Sequence, residues 1–167
     1  MVHHRVGLLD PVFVFLSWIG SWGLVWLVLA LVLAVLWRRP TVFLQVAIAD
    51  ALAGALSYAL RVSIDRDRPP LDYPRPEPLV HLPGSGSIPS GHATAAFACA
   101  TVLAFWAPRF AVPLFLLAAA IAFSRVYVGV HYPLDVLAGA ALGVAIAIAL
   151  RWLSTSRRRS PRSLPAR

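Results

Sequence analysis

Residues 133–152 read PLDVLAGAALGVAIAIALRW, a run whose only charges, Asp135 and Arg151, stand near its two ends. At about 1.5 Å of rise per residue, a helix of that length reaches the roughly 30 Å of a bilayer's hydrocarbon core. Pro133 is suited to a first helical position, where its missing N–H costs nothing. Gly139 and Gly143 follow Asp135 at four-residue steps, so they share one side of the helix. That small-residue face predicts close packing against a second helix.

Four further apolar runs lie upstream, at about 11–37, 41–60, 91–106 and 109–124. The reading is an all-α integral membrane protein, a bundle of about five transmembrane helices with a short interfacial N-terminal segment. The first run is longer than a bilayer requires, so its opening turns lie in the interface or the helix tilts. A hydrophobic content of 59% and a mean hydropathy of +0.75 exclude a soluble globule with a polar surface. No small-residue cleavage site follows the first run, so it is expected to belong to the mature fold. Residues 1–153 are expected to form a single membrane domain, with a Pro-rich polar loop at 61–90 and a basic, disordered tail at 154–167. Cys99 sits within an apolar run and reads as a small core residue.

The net charge of +8 would point to nucleic acid in a soluble chain. Here the basic residues, all Arg and no Lys, gather at the ends of apolar runs, which fits membrane orientation and no nucleic-acid partner. Arg38-Arg39, Arg109 and Arg157-Arg158-Arg159 fall at alternate turns of a five-span chain and therefore share a side, with Trp37, Trp106 and Trp152 beside them. The positive-inside rule makes that side cytoplasmic, together with the C-terminus, and turns the loops at 61–90 and 125–132 to the outer face of a plasma (inner) membrane. Arg61, Arg66, Arg68 and Arg75 in the outward loop run against the simple rule; Asp65, Asp67, Asp72 and Glu77 balance them in part.

Three constellations in these outward segments carry chemistry. Arg61, Arg68 and Arg125 place three guanidiniums at the outer ends of apolar helices, each a planar fork of donors matched to phosphate oxygens. Any one of them could simply anchor a helix end; three together with two His suggest a clamp for a tetrahedral dianion. In Pro89-Ser90-Gly91-His92, Ser90 is placed to cap a helix whose first N–H groups and positive dipole end form an anion site. Gly91 lets backbone approach a ligand, and His92 lies on the first turn. His131 and Asp135 are four apart and stack if one helix includes both, the carboxylate fixing the imidazole tautomer and leaving the other nitrogen as a nucleophile. An unremarkable His–Asp pair at a helix start is the competing structural reading.

Taken together, Arg61 with Arg68-Pro69, Pro89-Ser90-Gly91-His92, and Ser124-Arg125 with His131 and Asp135 resemble the signature of the type 2 phosphatidic acid phosphatase superfamily, which also includes vanadium haloperoxidases. The resemblance spans residues 61 to 135, and the flanking spans fit that family's helical bundle. It implies that His131 attacks phosphorus to form a phosphohistidine, that Asp135 orients it, and that His92 protonates the leaving oxygen and then activates water. It assigns Arg68, Arg125, Ser90 and the Gly91 N–H to the phosphoryl oxygens, and it implies no metal and no cofactor. Arg61 departs from the family pattern, which has Lys there; it keeps the charge and is assigned to phosphate binding.

The expected activity is metal-independent removal of phosphate from a membrane lipid, a polyprenyl diphosphate such as undecaprenyl diphosphate ahead of phosphatidylglycerophosphate, phosphatidic acid or a polyprenyl-phosphate sugar phosphate. A haloperoxidase of this family would be soluble, which the apolar runs oppose, and a catalytically silent lipid-binding protein should have lost a key residue. Asp50, Gly54, Ser57 and Arg61 also share a face of the second span. Asp50 stands roughly 16 Å below Arg61 at the helical rise, too far for phosphate chemistry and better placed for bonding between helices.

Overall fold

The computed structural model describes residues 7–159, and among them all the regular structure is helical, without strands. Helices α1 (Asp10–Ile19) and α2 (Leu24–Leu36) precede α3 (Pro40–Ile64). A single short turn of helix, α4 (Pro69–Asp72), sits in the Pro-rich loop. Then come α5 (Gly91–Trp106), α6 (Ala111–Tyr127) and α7 (Pro133–Arg159). Three helical stretches are long and apolar enough to cross a bilayer, and a fourth crossing exists if α1 and α2 count as one broken span. Five crossings is therefore an approximate description. α5, at 16 residues, rises only about 24 Å.

α5 is the hub of the bundle, and none of its residues is exposed. It packs against α3, α6 and α7. Ala93, Thr94, Ala96, Ala98, Cys99, Ala100 and Leu103 are all buried on it. The Ala-rich sequence lets three neighbours approach closely from different sides. Around it the apolar order of a soluble protein is reversed. Leu31, Val35, Leu44, Leu52, Leu116, Leu137 and Ile148 are exposed, forming the apolar outer surface a bilayer solvates. The core beneath consists of Trp26, Val42, Val46, Leu103 and Ile121 together with small residues.

The face predicted on the last span is the seam between α7 and α5. A methyl group at Gly139 would come within 2.6 Å of the Ser90 carbonyl oxygen, and one at Gly143 would strike the Thr94 carbonyl and lie 2.8 Å from the Ala98 nitrogen. Both glycines are there because backbone passes against backbone, and this seam sets Asp135 beside the start of α5.

Four boundaries differ from the sequence reading, the first being the fourth span, expected at 109–124, which runs as α6 to Tyr127 and so carries Arg125 on its last turn. The run at 11–37 is broken: α1 and α2 meet at a 60° bend. Trp22 (φ 56°) and Gly23 (φ 63°) take left-handed conformations there, and a Cβ on Gly23 would collide with the Asp50 carboxylate. Glycine is required on both counts. The second span continues to Ile64, so Arg61 projects from the last turn of α3. The tail expected to be disordered from Ser154 is helical through Arg159, because α7 carries on beyond its apolar run; residues 160–167 lie outside the described residues.

The basic and aromatic residues of one end do gather. Trp106 donates to the Gln45 side chain at 2.8 Å, Arg39 lies over the Trp106 ring, and Arg151 lies over Phe105 at 4.6 Å. The three signature segments lie at the opposite end. Asp50 stays away from them, with its carboxylate under Gly23 and 3.9 Å from the buried Cys99 thiol.

Since the α5–α7 seam leaves no room for a side chain, Gly143→Val should lower thermal stability in detergent by about 1–3 kcal/mol, the usual range for overpacking. Val at Gly54, where nothing lies within 4 Å, should leave the melting temperature unchanged and serves as the control.

Candidate active site

The start of α5, the end of α6 and the start of α7 converge at one end of the bundle, and the loop at 61–90 folds over them. Ser90 stands at the N-cap of α5 with extended backbone angles, but its hydroxyl makes no capping bond. That Oγ is buried and unpartnered, while the Ser90 N–H donates to the Asp135 carbonyl at 2.9 Å. The side chain expected to close the helix thus leaves its hydroxyl without a bond in this structure.

Arg68 is almost fully buried and is held on three sides. Its Nε donates to the Ser85 carbonyl at 2.9 Å, Nη2 to the Gly86 carbonyl at 3.0 Å and Nη1 to the Val130 carbonyl at 3.0 Å. The same Nη1 lies 3.3 Å from His131 Nε2. Arg61 donates to Ser85 Oγ at 3.3 Å and to the Pro89 carbonyl at 3.4 Å. Its Nη1 is 2.7 Å from the position a Cβ on Gly91 would take, so glycine there makes room for the guanidinium. Arg125 donates through Nη1 to Ser17 Oγ and keeps a buried Nε without a partner. The charges of Arg61 and Arg125 lie close enough to act on both Arg68 and His92. Fully paired guanidiniums would have nothing left for a substrate; these retain unused donors and converge, as an oxyanion clamp needs.

His131 does not share a helix with Asp135, because α7 begins only at Pro133. It lies in the preceding turn, with Nδ1 3.6 Å from Asp135 Oδ2, beyond ordinary hydrogen-bond range but within ion-pair reach. Nε2 points the other way, to Arg68. Asp135 is completely buried, and its oxygens divide their partners. Oδ2 accepts the Tyr132 N–H at 2.8 Å and faces His131, whereas Oδ1 accepts from Arg66 Nη1 at 2.9 Å. Burial, with only partial opposition from Asp135, pushes the His131 pKa down to about 4, so the ring is neutral near pH 7 with one nitrogen's lone pair available.

His92 Nε2 lies 3.3 Å from Ser21 Oγ, at the break between α1 and α2. The structure therefore brings together all the residues singled out by sequence (Arg61, Arg68, Ser90, Gly91, His92, Arg125, His131 and Asp135), and it adds three. Ser17 and Ser21 are polar positions four apart in the otherwise apolar run at 11–37, a signal available in the sequence. Arg66 was counted only as a loop charge; nothing local distinguishes it from its neighbours. A cavity of about 320 Å³ opens beside His131, lined by Pro69, Pro70, Tyr73, Arg75, Tyr132 and Pro133 among others. Among the described residues no cluster of three or more His, Cys, Asp or Glu has the arrangement of a metal site.

Comparison with known proteins agrees with this geometry. Residues 42–159 match the family model of the PAP2 superfamily. The chain is 36% identical over 132 residues to a decaprenylphosphoryl-5-phosphoribose phosphatase of Mycobacterium tuberculosis, covering 78% of this chain and 72% of that protein. It is 32% identical over 143 residues to an undecaprenyl-diphosphatase of Sulfolobus acidocaldarius, covering 84% and 68%. Among solved structures it resembles a PAP2-type phosphatidylglycerolphosphate phosphatase of Bacillus subtilis, with a TM-score of 0.76 at 26% identity over 96% of this chain and 83% of the other. It also resembles Aquifex aeolicus LpxE, with a TM-score of 0.75 at 29% identity and 90% coverage of each chain. With the matched model running from the first turn of α3 to the end of α7, the chain is a multi-pass membrane protein that belongs to the PAP2 superfamily and is a phosphatase by that membership.

Proposed function

We propose that this phosphatase removes the terminal phosphate from a polyprenyl-linked lipid, with a polyprenyl diphosphate such as undecaprenyl diphosphate as its substrate, at the outer face of the membrane. The observation that carries the chemistry is the opposed pair of contacts on His131: Nδ1 toward buried Asp135 and Nε2 toward Arg68. In the first step Nε2 attacks phosphorus, the P–O bond to the lipid side breaks, and protonated His92 gives its proton to the leaving oxygen. In the second, His92 takes a proton from water, the water oxygen attacks the phosphohistidine, and the P–N bond breaks to release phosphate and restore His131. Arg61, Arg68, Arg125, the Ser90 hydroxyl and the Gly91 N–H hold the phosphoryl oxygens and the charge that builds on them in both steps.

The lipid assignment is supported by relatives named for polyprenyl diphosphate and polyprenylphosphoryl-sugar phosphates, and by a site opening at the end of an apolar bundle. The outer-face assignment rests on Arg39 and Arg151 standing at the end opposite the site.

Purified protein offered undecaprenyl diphosphate, a decaprenylphosphoryl phosphoribose, phosphatidylglycerophosphate and phosphatidic acid, with chelator present, should release phosphate fastest from the first. A preference for the phosphoribose would move the assignment to the sugar phosphate, and strict dependence on a divalent cation would overturn the mechanism. His131→Ala should abolish turnover on every substrate. For orientation, a cysteine at Glu77 in a Cys99→Ala background should be labelled by a membrane-impermeant maleimide in intact cells; labelling only after lysis would reverse the assigned face.

A further inference from the structure

We propose that Arg66 is a positioning residue for the reaction: paired with Asp135 and stacked on Tyr132, it fixes the carboxylate that orients His131. The inference rests on the phosphohistidine reading above. Arg61 and Arg68 lead from the same segment toward the phosphate site, whereas the Arg66 side chain turns to Asp135, 2.9 Å away, and its guanidinium lies 4.4 Å from the centre of the Tyr132 ring. Arg66 takes Oδ1, which leaves Oδ2 for the Tyr132 N–H and His131. A carboxylate anchored at one oxygen is restrained from rotating about its Cβ–Cγ bond, so the other stays aimed at the imidazole. The anchor is itself held, since the Arg66 carbonyl accepts the Ser87 N–H at 2.8 Å, tying the loop to the segment that enters α5. A fully buried carboxylate also requires a compensating cation, and a planar fork that can stack on an aromatic ring meets both demands.

A merely structural salt bridge would alter stability and leave the chemistry alone. A positioning role predicts a fall in kcat without a change in KM, because Arg66 does not contact the phosphate-binding groups. It also predicts the direction of a pH effect. The Asp135 charge favours protonated His131, and Arg66 offsets part of it; without Arg66 the imidazole holds its proton more tightly. The acid limb of the kcat/KM profile should therefore move to higher pH. His92 from α5, Arg125 from α6 and Arg68 from the loop act on His131, with Arg61 of α3 behind them beside Arg68 and His92, and all are unchanged in the variant, so the shift reports Arg66.

The test uses the full chain in detergent micelles with undecaprenyl diphosphate or phosphatidic acid, whichever the wild type hydrolyses, and compares Arg66→Ala, Arg66→Gln and Arg66→Lys with His131→Ala. Arg66→Ala should lose about 10- to 100-fold in kcat, the scale seen when an outer partner of a reactive group is removed, at constant KM and with its acid limb displaced upward. Lys, which keeps the charge, should recover most of the loss, and Gln should not. If Arg66→Ala fails to fold, the Gln–Lys comparison decides, and equal rates in those two overturn the proposal. An unchanged kcat in Arg66→Ala, or a raised KM at constant kcat, overturns it as well. Activity in His131→Ala would instead strike the underlying reading.

Discussion

Everything in the site depends on one buried charge. Asp135 sits on the first turn of α7 with no exposure to solvent, and a carboxylate there is tolerable only if its oxygens are satisfied. The groups around it come from two separate pieces of chain: the Tyr132 N–H and the facing His131 imidazole from the turn before α7, and Arg66 from the loop after α3. The same loop lies over the bundle mouth, with Arg68 against His131 and the Ser85–Gly86 carbonyls against Arg68. The Asp135 carbonyl, in turn, receives the Ser90 N–H and so fixes the start of α5.

The bundle makes this possible by letting α7 approach α5 more closely than side chains would allow. Gly139 and Gly143 remove the obstruction, and the Ala-rich α5 can then serve as a hub with neighbours on several sides. Packing and catalysis are linked at this seam. The register that places Gly139 under the Ser90 carbonyl also sets Asp135, one turn earlier, beside the α5 N-terminus and its exposed N–H groups.

Much of this was legible in the sequence because the signals are strong and local. Five apolar runs, glycines at four-residue steps on the last span, and three polar clusters at alternate ends fix the class of fold and the identity of the signature residues. The break at Gly20–Gly23 was not legible, since a tilted helix and a bent one share the same apolar composition; the bend runs through left-handed Trp22 and Gly23, and Gly23 leaves room there for Asp50 of another helix. Nor was the helical continuation past Ser154, where composition reads as coil. Ser17 and Ser21 stand outside the span of the matched family model yet reach Arg125 and His92, because the bend turns them inward. The excess of Arg in the loop, which sits awkwardly with the positive-inside rule, becomes intelligible in three dimensions. Arg61, Arg66 and Arg68 are committed to the site, and Arg75 lines the cavity beside His131.

The central claim is that His131, held by Asp135, is the group that takes the phosphoryl. Rapid quenching during turnover, followed by peptide mass spectrometry under alkaline conditions that preserve phosphohistidine, tests it directly. A phosphoryl group on His131 during turnover, gone once substrate is exhausted and absent in His131→Ala, is the predicted result. A phosphoryl group trapped on another side chain, or turnover in which phosphate is released with a single inversion at phosphorus and no enzyme-bound species, would contradict the account.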